Sequence, residues 1–178
     1  HRCESIYSVD PRTATGGQRV GLLWASPSCT HFSRARGGTP VSRQLRGLGW
    51  MIVRWAGQTR PRVILCENVP EWVTWGPVRR GQPQKSRAGA YFRQMVAMLQ
   101  AMGYVVEWRV LNAAEYDTPT TRKRLFLVAR CDGEPVVWPV PTNGPKAAKP
   151  FRTAAECIDW TDLGRSIFDR KKPLAPAT

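Results

Sequence analysis

A single cysteine, Cys29, lies where an apolar segment gives way to a short polar stretch. The segment VGLLWAS (20–26) ends at Pro27, and Arg34 and Arg36 follow the cysteine within seven residues. A thiol in a loop after a buried strand and near positive charge is in the setting that activates cysteine as a nucleophile. The alternative is that Cys29 is a small buried side chain without chemistry, a common role for an isolated cysteine.

A carboxylate and an amide follow the next apolar segment. Glu67 and Asn68 come directly after VILC (63–66) and precede a Val-Pro pair. A carboxylic acid at the end of an otherwise apolar strand can hold and deliver a proton as a general acid. The alternative is a turn residue that forms an ion pair with a nearby arginine.

Two arginines lie at the entrance of a third apolar segment, TPTTRKRLFLVA (118–129). Alternation along a strand places Arg122 and Arg124 on one side and Lys123 on the other. Two guanidinium groups on one face suit phosphate or a base carbonyl. An isolated R-x-R is also a common form of solvated strand end.

The composition favours a polyanionic partner. The 178 residues fit one domain, and 27 Lys and Arg against 13 acidic residues give a net charge of +14. Such an excess indicates nucleic acid. A Cys29–His31 hydrolase pair is disfavoured, because residues two apart point to opposite sides of a strand and do not face each other on a helix.

The cysteine and histidine counts exclude several kinds of site. Five cysteines without close pairs argue against a disulfide framework and for a reducing, cytoplasmic location. With two histidines and no C-x-x-C, we expect no metal site. No apolar run reaches the roughly 18 residues of a membrane span, so no membrane partner is expected.

Predicted strands and helices alternate along the chain, which is typical of an α/β sheet that is parallel at least in part. In such sheets chemistry gathers beyond the carboxyl ends of the strands. Residues 74–90 are predicted to form a mobile basic loop, and TAAECIDW (153–160) a small amphipathic patch. The predicted strands are 20–26, 62–69, 104–113 and 125–129.

Two helices are predicted from apolar residues that recur every three or four positions. Gly103 is a natural stop for the second of them. The first helical face consists of Val41, Leu45, Leu48, Ile52 and Trp55. The second consists of Phe92, Met95, Val96, Leu99 and Met102.

Taken in order, the three motifs resemble those of the cytosine-C5 DNA methyltransferases. This chain has P-S-C-T-x-F-S, E-N-V and P-T-T-R-x-R where family members carry P-P-C-Q-x-F-S, E-N-V and P-Q-x-R-x-R. Residues 103–129 are also similar to the family stretch through its arginine motif. Residues 152–178 are similar to the segment before the target-recognition region of phage and prokaryotic members. Ser28, Thr30 and Thr120 depart from the family's proline and two glutamines.

The resemblance implies methyl transfer from S-adenosylmethionine to carbon 5 of cytosine in double-stranded DNA, through a covalent adduct on Cys29. It implies that Glu67 hydrogen-bonds or protonates ring N3, that Arg124 binds the base carbonyl and that Arg122 anchors phosphate. Asn68 would hold the Cys29 loop in place. Because these groups must reach the base, the resemblance also implies base flipping.

The resemblance also assigns binding residues. Glu4 and Pro27 are expected at the cofactor. The residues expected to bind nucleic acid are Ser33, Arg34, Arg36, Arg79, Arg80, Lys85, Arg87 and Thr120.

The fold implied by the resemblance is a Rossmann-like S-adenosylmethionine-dependent methyltransferase sheet that is incomplete and lacks the N-terminal cofactor-binding strands. The family's F-x-G-x-G turn is not found, and G-L-G at 47–49 lies inside a helical pattern. Residues 1–150 are expected to form a partial catalytic domain, and residues 151–178 the lead-in to a recognition region. A second chain or an N-terminal segment would supply the cofactor half. Alternatives are a non-catalytic nucleic-acid-binding remnant and an RNA cytosine-C5 methyltransferase.

Overall fold

The computed structural model describes residues 4–29, 43–161 and 164. Within them, none of the helices is long and apolar enough to cross a membrane. The α-helices are α1 (Pro11–Thr15), α2 (Arg43–Gly47), α3 (Gly49–Thr59) and α4 (Ala90–Ala101). The strands are β1 (Leu22–Ala25), β2 (Val63–Asn68), β3 (Val78–Arg79), β4 (Gln82–Pro83), β5 (Val105–Asn112) and β6 (Lys123–Arg130).

Four of the strands form a mixed sheet in the order β1-β2-β6-β5. The strands β1 and β2 are parallel, whereas β6 is antiparallel to both of its neighbours. The predicted α/β sheet is therefore confirmed, with its parallel part limited to one pair among the described strands. This order brings the carboxyl ends of β1 and β2 and the amino end of β6 to the same edge of the sheet.

One face of the sheet is covered by α3, α4 and the 3-10 turn Pro70–Thr74. In α3, Ile52, Val53 and Ala56 are buried, which is the spacing of a helical face turned to a core. The turn itself contributes Trp72 to the core. This side chain is 1% exposed and meets Phe92 edge to face, with the ring centroids 5.5 Å apart. This packing holds the strands that carry the predicted motifs.

The single helical pattern predicted from Val41 is divided into two helices. The helix α2 ends at Gly47, and α3 begins at Gly49. A Cβ atom on Gly47 would lie 2.8 Å from the Tyr7 hydroxyl, and one on Gly49 would lie 2.7 Å from the Trp75 ring. These glycines therefore permit close packing, and Val41 itself lies outside the described residues.

The prediction of an unstructured loop over residues 74–90 is wrong in part. The strands β3 and β4 form a short antiparallel hairpin, and Lys85–Arg87 forms a 3-10 turn. The two residues between the strands, Arg80 and Gly81, have φ of 49° and 76°. Positive φ at both central positions is what a tight hairpin requires. The expected amphipathic patch after residue 152 is a 3-10 turn, Ala154–Cys157, without buried residues.

The outer edge of β1 exposes apolar side chains. Leu22 is 56% exposed and Trp24 is 57% exposed. Both side chains lie on the sheet face opposite to α4, since Leu23 and Ala25 pack against the core. This side of the sheet is thus less completely covered than the α4 side.

Candidate active site

A cavity of 220 Å³ lies beyond the carboxyl ends of β1 and β2. We call it the polar cavity. All five residues predicted to be catalytic line it, although they come from three separate parts of the chain. Its lining consists of Ser26, Pro27, Ser28, Cys29, Glu67, Asn68, Val69, Arg122 and Arg124.

The strand register explains why these residues meet. Ala25, the last residue of β1, lies beside Cys66 in the parallel ladder, so Cys29 and Glu67 both follow the same level of the sheet. The antiparallel β6 enters at this edge, and Glu67 lies opposite Phe126. Arg124 is the second residue of β6, two positions before Phe126, and thus lies inside the strand rather than before it.

Glu67 and Arg124 form an ion pair. The distance from Arg124 Nε to Glu67 Oε1 is 3.0 Å, and the side chains of Arg124 and Glu67 are 21% and 28% exposed, respectively. Arg124 Nη1 also donates a hydrogen bond to the carbonyl of Lys123 at 2.8 Å. A carboxyl group and a guanidinium group are thus held side by side, where they can reach neighbouring atoms of one planar ring.

Asn68 joins β2 to the loop that carries Cys29. Its side chain is buried, its Nδ2 donates to the carbonyl of Pro27 at 2.9 Å, and its Oδ1 accepts from the Val69 amide at 2.9 Å. Both ends of the amide are therefore satisfied inside the protein, where an unpaired polar group would be costly. The loop is anchored two residues before Cys29.

The two cysteines near this edge have different environments. Cys29 is partly exposed and lines the polar cavity. Cys66 is fully buried in the core, and this burial raises the pKa of its thiol to about 12. Cys66 therefore stays a neutral thiol at physiological pH, and Cys29 is the candidate nucleophile of the pair.

A second cavity, of 450 Å³, adjoins the first through Ser26, Pro27 and Ser28, which line both. We call it the apolar cavity. Its remaining wall comes from β1, from α3 with the preceding Leu48, and from Ile6 near the start of the chain. This wall consists of Ile6, Leu23, Trp24, Ala25, Leu48, Met51, Ile52 and Trp55.

The apolar cavity does not by itself fit S-adenosylmethionine. It offers an apolar surface and one buried donor without a partner, Trp55 Nε1, but the described lining carries no charged side chain for the ammonium and carboxylate groups of the cofactor. Pro27 lines it as expected, and Glu4 lies two residues before Ile6, which lines it. G-L-G at 47–49 serves packing, as described above.

None of the described residues that are predicted to bind nucleic acid lines the polar cavity. Arg79, Arg80, Lys85 and Arg87 are exposed on the hairpin and the 3-10 turn after it, and Thr120 is exposed before β6. Ser33, Arg34 and Arg36 lie outside the described residues, as do Thr30 and His31.

Sequence reasoning does not single out Ser26 and Val69 as lining residues. Each directly adjoins a predicted residue at the end of a strand. Their positions next to predicted site residues in the sequence are the feature that could have identified them.

Comparison with known proteins identifies the family of this chain. Residues 1–163 match the model of the family described as C-5 cytosine-specific DNA methylase. The Type II methyltransferase M.Sau3AI of Staphylococcus aureus is 33% identical over 130 residues, which cover 71% of this chain and 29% of the relative. The Type II methyltransferase M.BspRI of Lysinibacillus sphaericus is 33% identical over 156 residues, covering 86% of this chain and 34% of the relative.

A solved structure supports the fold. The DNMT2 of Spodoptera frugiperda superposes with a TM-score of 0.57 at 17% identity, covering 88% of this chain and 44% of that one. The chain spans about a third of the length of each of the two curated relatives, M.Sau3AI and M.BspRI.

Proposed function

Because this chain belongs to the C-5 cytosine-specific DNA methylase family, we propose that it forms the base-handling part of an enzyme that methylates carbon 5 of cytosine in DNA. The observation that carries the proposal is the polar cavity, in which Cys29, Glu67 and Arg124 line one space of 220 Å³. A nucleophile, a carboxyl group and a guanidinium group are the three groups that activation of the ring requires.

The activation begins with addition of the Cys29 thiolate to carbon 6 of cytosine. The S–C6 bond forms, the C5=C6 electron pair moves to C4–C5, and the C4=N3 pair takes a proton that Glu67 delivers at N3. Arg124 donates to the base carbonyl oxygen and keeps the ring in place. The product is a neutral enamine whose carbon 5 is nucleophilic.

Reversal of this addition gives a test that needs no methyl donor. Carbon 5 of the enamine can take a proton from water, lose its original one and expel the thiolate, so the C5 hydrogen exchanges with solvent. We expect the chain to wash out a deuterium label from C5 of a DNA cytosine placed opposite an abasic site. The abasic partner removes much of the cost of base extrusion.

Cys29→Ser should slow this exchange at least about 10³-fold, since the hydroxyl is a far weaker nucleophile. DNA binding should stay unchanged, and Cys157→Ser, which alters an exposed cysteine outside the cavity lining, should exchange like the original protein. Mass spectrometry of the recovered nucleoside measures the label. Substantial exchange in the Cys29→Ser protein would exclude this thiol, and its absence in the original chain would favour a non-catalytic nucleic-acid-binding role.

We further propose that another segment or a second chain completes the cofactor site. The apolar cavity supplies an uncharged wall, and Trp24 is 57% exposed on the open edge of β1 beside it. In this proposal residues 1–150 form a partial catalytic domain, residues 151–178 lead to a recognition region, and the enzyme acts on double-stranded DNA in the cytoplasm.

Calorimetric titration of the 178-residue chain with S-adenosylmethionine tests the incomplete site. We expect no binding and no methyl transfer by this chain, since neither a glycine turn nor a charged partner lines the described cavity. Micromolar binding with turnover on cytosine-containing DNA would show that the chain is self-sufficient.

A further inference from the structure

A third cavity, of 530 Å³, lies at the opposite end of the parallel strands, beside the amino ends of β1 and β2. We call it the basic cavity. The strand β2 has six residues, so its two ends are about 20 Å apart. A single phosphate cannot contact both this cavity and the polar cavity. The residues that line the basic cavity with polar side chains are Arg19, Thr59, Arg60, Arg62, Cys131 and Asp132.

The charge of the basic cavity is positive. Among the described lining residues, three arginines accompany one carboxylate, that of Asp132. Arg130 engages this carboxylate through two hydrogen bonds of 3.0 and 2.8 Å, whereas Arg62 Nε lies 3.8 Å from it. The hydrogen bonds from Arg130 lower the pKa of Asp132 to about 2, so this carboxylate is ionised and its charge is balanced by that of Arg130. The charges of Arg19, Arg60 and Arg62 therefore exceed the negative charge that faces them.

Backbone hydrogen bonds fix the main-chain positions of two of these arginines. Arg60 caps α3 with φ of 42°, a left-handed conformation in which glycine is the usual residue, and its amide donates to the Ala56 carbonyl at 3.0 Å. The Arg62 amide donates to the Val20 carbonyl at 2.9 Å, and its own carbonyl accepts from the Cys131 amide at 3.2 Å. A strained arginine in a position suited to glycine is the kind of feature found at functional sites.

We propose that the basic cavity binds phosphate oxyanions at a site separate from the one that handles the base. Guanidinium groups match phosphate in geometry and charge, and three arginines line this cavity of 530 Å³. The phosphate belongs either to the backbone of a nucleic acid or to a free phosphate compound. This inference does not depend on the chemistry proposed for Cys29.

Titration with inorganic pyrophosphate, followed by amide chemical shifts, tests the site. We expect the amides of Gly21, Thr59 and Cys131, which line the basic cavity, to shift while those of Asn68 and Val69 do not. Arg60→Gln and Arg62→Gln should each weaken binding about tenfold. Lys146→Gln removes an exposed positive charge elsewhere and should leave binding unchanged. Absence of shifts at low salt, or equal weakening in Lys146→Gln, would overturn the proposal.

Arg60→Gly separates loss of the site from loss of the fold. Glycine relaxes the left-handed backbone at this position, so stability should be kept while the guanidinium is removed. Pyrophosphate binding should still fall. Retained binding in this well-folded variant would argue against the site.

Salt titrations of DNA binding identify the source of the phosphate. If a nucleic acid occupies the cavity, Arg60→Gln should reduce the slope of log K against log salt by about one. An unchanged slope with lost pyrophosphate binding would support a free phosphate compound. An unchanged slope together with unchanged pyrophosphate binding would refute the site.

Discussion

The polar cavity and the apolar cavity share Ser26, Pro27 and Ser28 but are constructed differently. The polar cavity is enclosed by three chain segments, with an ion pair and a buried amide joining them. The apolar cavity is lined mainly by the single strand β1 and by α3, and Trp24 of this strand is more than half exposed. The polar cavity is therefore formed where three chain segments meet, whereas the described lining of the apolar cavity carries no charged side chain.

The difference follows from the position of each cavity in the sheet. The polar cavity lies between β1, β2 and β6, whose mutual register fixes the side chains that enter it. The apolar cavity is lined by β1, the edge strand of this sheet, and by no residue of the described strands β2 and β6. Register can position residues only between paired strands. The experiments below alter one cavity at a time.

After Cys29→Ser, the largest effect is expected from Glu67→Gln in the polar cavity. The amide cannot deliver a proton at N3, so C5 hydrogen exchange should fall at least about 10²-fold. Stability should change little, because the ion pair with Arg124 is partly exposed. Hydrogen exchange at C5 and thermal unfolding measure the two effects.

Glu107→Gln provides the control for this change. Glu107 accepts a hydrogen bond from Trp138 Nε1 at 2.8 Å, away from the polar cavity, and glutamine can still accept it. Its exchange rate should match that of the original chain. Full exchange in Glu67→Gln would mean that Glu67 only pairs with Arg124.

An intermediate effect is expected from Asn68→Ala. Loss of the amide leaves the Pro27 carbonyl and the Val69 amide without their partner, which should cost about 1–3 kcal/mol of unfolding free energy. Since the Cys29 loop loses its anchor, exchange should also fall, by about tenfold. Denaturant unfolding and the exchange assay measure these changes.

Asn143→Ala is a matched control for the loss of a buried amide. Asn143 is also 2% exposed, and its Nδ2 donates to the Pro150 carbonyl at 2.8 Å. The variant should lose similar stability and keep its exchange rate. If Asn68→Ala behaves in the same way, Asn68 supports the fold without positioning Cys29.

The strands and α4 could be predicted from the sequence because their apolar periodicity is local. The meeting of Cys29, Glu67 and Arg124 at one cavity is expected from the resemblance of the three motifs, each at or near the end of a predicted strand. The division at Leu48 could not be predicted, because the glycines on either side of it are packed closely against Tyr7 and Trp75, which are remote in sequence.

The basic cavity could not be predicted for a similar reason. Arg19 and Arg62 are far apart in sequence and are brought to one end of the sheet by the pairing of Leu22 with Val63. The order of the strands is likewise a tertiary property. An R-x-R motif does not reveal that its strand lies between β2 and β5.

The smallest effect is expected from Trp24→Ser in the apolar cavity. Trp24 is 57% exposed, and its Nε1 donates to the neighbouring Ser26 hydroxyl at 3.0 Å. A substitution at an exposed position without core contacts usually changes stability by no more than about 0.5 kcal/mol. Denaturant unfolding of the purified chain measures this change.

Trp72→Ala sets the scale for this prediction, because Trp72 is 1% exposed in the core and its loss should cost about 3–5 kcal/mol. A comparable loss in Trp24→Ser would mean that another surface already covers β1 in solution. Sedimentation over a range of protein concentrations would then identify that surface as a second copy of the chain. An effect near zero for Trp24→Ser, beside a large one for Trp72→Ala, would show that the apolar cavity wall is formed without being required for folding. That result would leave its tryptophan free to contact the segment or chain that completes the cofactor site.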